Sequence, residues 1–276
     1  MAQPAANTEP LAPATLTDML DGGWRLLRRQ PGTILALSAM FLVPSAVLAG
    51  LASAAVDTDI QSTFAIPTFG SGSSFPLLAL FATVAGAAVR SLGVLYLGVA
   101  LTYVVLAAGS GSVLGAGDAA RAALRRSGAV LGAWPLLIGA SVIAYVACVL
   151  PLGVWLTFTA VVAPAIAAEG AGPIAAIGRS FSLVTRRFWM ALGVVMLSSL
   201  VAYVLSTVLT LIPQLLAQLL PWGGQWAVDT MSTWLAATLT AGPLIISSVL
   251  LYLDLRVRTE GLDLRQRATA AFARAG

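Results

Sequence analysis

GAVLGAWPLLIGASVIAYVACVLPLGVWLTFTAVVAPAIAA, residues 128–168, runs for 41 residues without a charged side chain. As one helix it would be about 60 Å long, roughly twice the ~30 Å hydrocarbon core of a bilayer. It therefore predicts two membrane spans, with a turn expected at Pro151–Leu152–Gly153. On the N-terminal side, Thr33–Val56 is a 24-residue apolar run and a first span. A polar linker, 57–76, leads to the run 77–108, which only Arg90 interrupts. That run is one long helix or a broken one, with the span proper near Leu92–Ala108 and Arg90 at the outer boundary. On the C-terminal side, Phe188–Ile212 and Ala227–Leu253 give a fifth and a sixth span, separated by an interfacial stretch from Pro213 to Gln225.

The composition agrees. Of 276 residues, 59% are apolar and 9% charged, and the mean hydropathy is +0.92. A soluble domain carries about 25% charged residues. Histidine and lysine are both absent, and Cys148 is the single cysteine. This excludes a histidine general base, a Cys-His or Ser-His-Asp arrangement, a Schiff-base lysine and a Walker-type phosphate loop. It also excludes zinc or haem sites built from His/Cys clusters, so no cofactor is implied.

All fifteen basic residues are arginines, and their placement sets the topology. With the N-terminus inside, six spans put fourteen of them on one side and leave Arg90 alone outside. Both termini are then expected in the cytoplasm of a bacterial plasma membrane, with Trp134 and Trp189 near the inner boundary and Trp155, Trp222 and Trp226 near the outer one. The pI of 9.8 is accounted for by this asymmetry, and no nucleic-acid partner is expected. Arg28-Arg29, the apolar stretch after them and Ala52-Ser53-Ala54 also have the form of a signal peptide set unusually deep in a chain.

Three segments resemble one another: LTDMLDGGWRLLRR (16–29), VLGAGDAARAALRR (113–126) and PIAAIGRSFSLVTRR (173–187). Each reads as a short amphipathic helix ending in Arg-Arg and feeding a span. In the first, Leu16, Met19, Leu20, Trp24 and Leu27 share the apolar face, and Thr15 with Asp18 has capping-box spacing. In the third, the apolar face is Ile174, Ile177, Phe181 and Val184. The expected fold is an all-α integral membrane bundle of six spans. It is arranged as three helical hairpins, each preceded by an inner-face amphipathic helix. Residues 1–14 form an Ala/Pro-rich tail, 15–264 the membrane domain and 265–276 a basic cytoplasmic tail.

The segments APAIAAEGAGPIAAIGRSFSLVTRRFWMALGVV (163–195) and LLYLDLRVRTEGLDL (250–264) resemble a family of bacterial, frequently actinobacterial, multi-pass proteins. That family is named after the membrane domain of glycerophosphoryl diester phosphodiesterases. The resemblance rests on Pro164, Glu169, Arg179, Ser180 and the run Tyr252–Leu264, and extends over the chain from the helix at 15–29. It implies a membrane module without the catalytic domain, whose chemistry uses histidines and acidic metal ligands that this chain does not supply.

Candidate sites follow from the scarce charges. Arg28, Arg29, Arg125, Arg126, Arg186 and Arg187 are candidate contacts for anionic lipid heads. Glu169, Arg179, Asp254, Arg256, Arg258 and Glu260 form a candidate structural charge cluster. If the sixth helix continues, Asp254 faces Arg258 and Arg256 faces Glu260 at i,i+4, with Gly261 ending the helix. Glu169 is expected to pair with Arg179, Arg186 or Arg187. Gly115-Ala116-Gly117-Asp118 has the GxGD form of intramembrane aspartyl proteases, but no span supplies the second aspartate such chemistry needs. Pro44, Pro164 and Pro243 fall within spans 1, 4 and 6. Thr157, Thr159, Thr238, Thr240, Gly242, Ser247 and Ser248 are positioned to line a transport site there. The leading expectation is a non-enzymatic module acting with membrane lipids or a membrane-protein partner. A small-molecule or lipid permease is the alternative, and an intramembrane enzyme a distant third.

Overall fold

The computed structural model describes residues 15–56, 77–147, 149–218 and 225–260. The tail 1–14, the linker 57–76, Trp222, Gly261 and the basic tail lie outside the described residues, as does the side chain of Glu260. Among the described residues every regular element is helical. The elements are α1 (Leu16–Arg29), α2 (Pro31–Val56), α3 (Leu77–Gly109), α4 (Ala116–Leu124), α5 (Ser127–Ala147), α6 (Val149–Thr159), α7 (Val162–Glu169), α8 (Pro173–Thr185), α9 (Phe188–Gln218) and α10 (Gln225–Glu260). Six helical segments are long and apolar enough to cross a membrane: Pro31–Leu48, Val84–Gly109, Ser127–Ala144, Pro151–Glu169, Phe188–Ala217 and Ala227–Thr259. The chain is an all-α, six-span multi-pass membrane protein.

Local chemistry explains the element ends. Thr15 caps α1 with a complete capping box. Its hydroxyl accepts from the Asp18 N–H, and the Asp18 carboxylate accepts from the Thr15 N–H at 2.9 Å. The same hydroxyl donates to the Asp18 carboxylate, which holds that carboxyl below the usual carboxylate range. Gly170, in the left-handed conformation at φ +64°, closes α7. Pro173 opens α8 at a position where no N–H is required.

Three boundaries differ from the sequence expectation, one of them the end of the fifth span, where α9 runs on through Pro213 to Gln218 instead of ending at Ile212. Pro151–Leu152–Gly153 is not the turn of the central hairpin but lies inside α6, near its start. Proline is tolerated in a first helical turn, so the pair marks a helix entry. The fourth span is instead interrupted at Ala160–Val161, between α6 and α7. Pro164 follows within one turn; it has no N–H to give the Ala160 carbonyl and its ring crowds that carbonyl. α8 supports the break, because the Ser180 hydroxyl donates to the Phe158 carbonyl. Elsewhere prolines are absorbed without interruption: Pro44 in α2, Pro135 in α5, Pro213 in α9 and Pro243 in α10. The run 77–108 is one continuous helix.

Packing follows a cyclic rule. The three hairpins are α2/α3, α5/α6–α7 and α9/α10. Each amphipathic helix docks on the hairpin before its own: α4 on α2 and α3, α8 on α5, α6 and α7, and α1 on α9 and α10. The first helix of each hairpin likewise leans on the second span of the preceding one: α5 on α3, α9 on α6, and α2 on α10. The second spans α3, α7 and α10 meet at the centre. The second spans Val84–Gly109, Pro151–Glu169 and Ala227–Thr259 are 56%, 44% and 56% buried, against 33%, 17% and 17% for the first spans, so the second spans form the core and the first spans its outer side. The threefold repeat read from the Arg-Arg segments therefore extends to tertiary packing.

Small residues make the docking close. Seven and six positions before the second arginine of each pair stand Gly22–Gly23, Ala119–Ala120 and Ser180–Phe181. A Cβ on Gly23 would lie 2.8 Å from the Pro243 carbonyl oxygen, and one on Gly22 2.5 Å from a Leu250 methyl. Ala119, Ala120 and Ser180 are buried. This shifts the buried face of α8 by one position. Ala176, Ser180, Leu183 and Val184 point inward, whereas Ile174 of the expected face is 77% exposed. Small side chains let backbones approach, and dispersion gained at short range outweighs the bulk of isoleucine, which lipid solvates equally well.

Central packing uses the same device. A Cβ on Gly93 of α3 would overlap the Phe41 carbonyl of α2, whereas Gly139 of α5 has open space. Gly93→Ala is expected to cost about 1–3 kcal/mol by forcing two backbones apart. Gly139→Ala should be neutral or stabilising by up to about 1 kcal/mol. Thermal unfolding in detergent of both variants beside the parent chain checks this; equal melting temperatures for Gly93→Ala and the parent chain would contradict the close α2–α3 contact.

Candidate functional site

The candidate site is the arginine-bearing end of the core, where the ends of α3, α7 and α10 are joined by α8 and the α4–α5 junction. Glu169, the last residue of α7, is its centre. Arg179 of α8 donates from Nε to both carboxylate oxygens, at 2.9 and 3.1 Å. The Tyr252 hydroxyl of α10 donates to Oε1 at 2.7 Å, and Arg256 Nε stands 3.9 Å from the same oxygen. One carboxylate thus ties α7 to two further elements, α8 and α10. Its side chain is 21% exposed and that of Arg179 27%, so the pair is only partly screened. Tyr252 is fully buried and delivers its hydroxyl from the apolar core to the charged rim.

Beside this node, Arg126 donates from Nε toward the Tyr103 hydroxyl of α3 at 3.4 Å. Its guanidinium lies against Gly170, where a Cβ would come within 3.1 Å of it. Glycine is needed at 170 both for the positive φ and for this approach. Further along α10, Arg258 pairs with Asp254 at 2.8 Å, as the i,i+4 spacing predicts. The expected Arg256–Glu260 pair falls on a side chain outside the described residues. On α4, Asp118 of the GxGD sequence pairs with Arg121 at 3.3 Å on the exposed surface.

Among the described residues the arginines fall into two groups, and Arg25 and Arg90, which are exposed and have no carboxylate partner there, belong with the second. Arg121, Arg179, Arg256 and Arg258 have carboxylate partners. Arg28, Arg29, Arg125, Arg126, Arg186 and Arg187 are exposed and have none among the described residues. Glu169 selects Arg179 from the three arginines the sequence offered it. The sequence reading missed Tyr252 as a partner of Glu169 and Tyr103 as a partner of Arg126. The one local signal was that Tyr252 precedes Arg256 by one helical turn, which places both on one side of α10.

The anticipated transport site has a different character. The hydroxyls of Thr157, Thr159, Thr238, Thr240, Ser247 and Ser248 each donate to a carbonyl one turn back on their own helix. Around Pro164, Val161, Val162, Ala165 and Ile166 are fully buried, and a Cβ on Gly98 would lie 2.7 Å from that of Ala163. The helices are in contact there.

Two depth assignments also change. The Trp134 indole donates to Ser91, next to Arg90, at 3.0 Å, so Trp134 and Arg90 cannot mark opposite boundaries. Trp155, assigned to the outer side, touches Phe181 of α8. Both indoles follow hydrogen-bond partners inside the bundle, Ser91 and Ser141, and not the membrane surface. Comparison with family models, curated proteins and solved structures gives no match to this chain.

Glu169→Gln removes the charge that Arg179 and Arg256 share and is expected to destabilise the bundle by about 1.5–3 kcal/mol; Tyr252→Phe should cost about 1–2 kcal/mol. The two losses should be non-additive in a double-mutant cycle read by thermal unfolding, because both variants break one node. Full additivity would mean that the two residues act independently.

Proposed function

We propose that this chain is a non-enzymatic membrane module that engages anionic phospholipid heads through its three Arg-Arg pairs, in a bacterial cytoplasmic membrane with both termini in the cytoplasm. One observation carries the reading: all six arginines of those pairs, and Arg25 beside the first pair, are exposed and have no carboxylate partner among the described residues, while Arg121, Arg179, Arg256 and Arg258 are paired within the protein. A guanidinium left without a carboxylate partner at a membrane boundary gains about 1 kcal/mol from an anionic surface. Its planar fork also suits phosphate better than a point charge does. The cyclic docking of α1, α4 and α8 distributes the pairs around the core, so the chain offers several separate headgroup contacts. Residual affinity for a partner membrane protein would use the same end.

The resemblance to the membrane-domain family of glycerophosphoryl diester phosphodiesterases belongs to this proposal. Supporting it, the residues on which it rests have joint structural work: Pro164 accompanies the α6–α7 break, Ser180 supports it, and Glu169, Arg179, Tyr252 and Arg256 form the node.

Native mass spectrometry of the chain released from vesicles of equal phosphatidylglycerol and phosphatidylcholine tests the reading. The parent chain is expected to retain phosphatidylglycerol well above its share of the vesicle. A variant with all six arginines changed to Gln should retain both lipids in the vesicle ratio. An unchanged preference in that variant would sink the proposal.

A further inference from the structure

The arginine pairs and the bundle surface combine at one place into more than a charged rim. A groove runs between α1, α9 and α10. Leu20 and Trp24 of α1 form one wall. Ser198 and Ala202 of α9 and Thr240 and Ser247 of α10 form the floor. Its residues on α9 span Ser198 to Leu205, and those on α10 span Thr240 to Ser247. Seven residues of rise give each stripe a length of about 10 Å.

Three observations say what fills it. First, its floor is built of small residues, and the Thr240, Ser247 and Ser198 hydroxyls are already donated to carbonyls of their own helices. The groove thus presents methyl and methylene groups, which suits an apolar chain. Second, the corresponding space in the second hairpin, between α5, α6 and α8, is filled by protein. There Trp155 bonds Ser141 across from α6 to α5, and Phe181 of α8 stacks on Phe158 at 4.6 Å. In the third hairpin the one ring among the described lining residues is Trp24 on the α1 wall, and the stripe along α9 and α10 carries only aliphatic and hydroxyl side chains. Third, the α1 wall of the groove continues along its helix into two arginines. Arg28 follows Trp24 by one helical turn, Arg29 adjoins it, and both are exposed without carboxylate partners among the described residues.

We propose that this groove is the binding site of one anionic phospholipid, with an acyl chain laid along α9 and α10 toward Leu205 and Thr240 and the phosphate held by Arg28 and Arg29. This rests on the reading of the arginine pairs as headgroup contacts and adds a defined seat to it. The lipid would complete the third hairpin as the aromatic rings complete the second. It would also tie α1 to α9 and α10, where the Gly22–Gly23 contact already holds it on α10.

The full-length chain is reconstituted in vesicles of phosphatidylglycerol and phosphatidylcholine. These carry a trace of phosphatidylglycerol with a photoreactive diazirine on one acyl chain, and adducts are mapped by peptide mass spectrometry. Adducts should concentrate at Leu205 and Leu244 of the groove, above those at Ile143 and Tyr203 on the outward surface. They should fall about fivefold or more in Arg28→Gln/Arg29→Gln. They should disappear in Ala202→Phe, which fills the groove and leaves the other arginine pairs intact. Uniform labelling of groove and outward surface in the parent chain, or equal groove labelling from a phosphatidylcholine probe, would overturn the proposal. If Ala202→Phe does not reconstitute, the parent map and the arginine variant decide alone. A parent chain that still retains phosphatidylglycerol preferentially but shows no groove enrichment refutes the seat and spares the wider reading. A chain with no phosphatidylglycerol preference refutes both.

Discussion

The carboxylate of Glu169 is the interaction on which the arginine-bearing end depends. It is the meeting point of α7, α8 and α10, and it is reached from the core by a fully buried tyrosine and from the rim by two arginines. Breaking a partly buried pair leaves the partner charge without compensation, and here two partners would be left at once. The node also explains the break before it. A short α7 brings Glu169 to the level of Tyr252, and the break between α6 and α7 lets α8 pass beneath with Ser180 on the Phe158 carbonyl.

Charge economy at that end separates structure from recognition. The chain has few acids, and Asp118, Glu169 and Asp254 are already engaged with Arg121, Arg179, Arg256 and Arg258. The Arg-Arg pairs are therefore left to the solvent and lipid side. The same sequence repeat has two consequences: the small residue seven positions before the second arginine (Gly22, Ala119 or Ser180) sets the docking distance, and the arginines mark where each helix leaves its neighbour. In the α1 copy the small residues are glycines pressed on Pro243 and Leu250, and beside them the floor of the groove between α1, α9 and α10 is built from serine, alanine and threonine.

Much of this was legible in the sequence because it is local. The capping box at Thr15–Asp18, the apolar runs and the Asp254–Arg258 spacing each need only a few consecutive residues to be recognised. The Glu169–Tyr252 bond spans 83 residues, and no periodicity links two helices that far apart. The inward face of α8 was misjudged because hydrophobicity does not mark the inside of a membrane protein; Ala176 and Ser180 are buried while Ile174 faces out. The central turn was misplaced because proline near a helix start and proline in a turn look alike in a sequence. Depth assignments from tryptophan failed where the indole found a serine inside the bundle, as Trp134 and Trp155 do.

The central claim is that α1, α4 and α8 share one membrane face around the α3–α7–α10 core. Site-directed labelling with a membrane-impermeant thiol reagent tests it most directly. Single cysteines replace Thr17, Ser112, Ser182 or, in the first linker, Ser73, each in a Cys148→Ser chain in oriented membrane vesicles. The account predicts that positions 17, 112 and 182 label from one side and position 73 from the other. Labelling of any of the first three from the side that labels position 73 would contradict it.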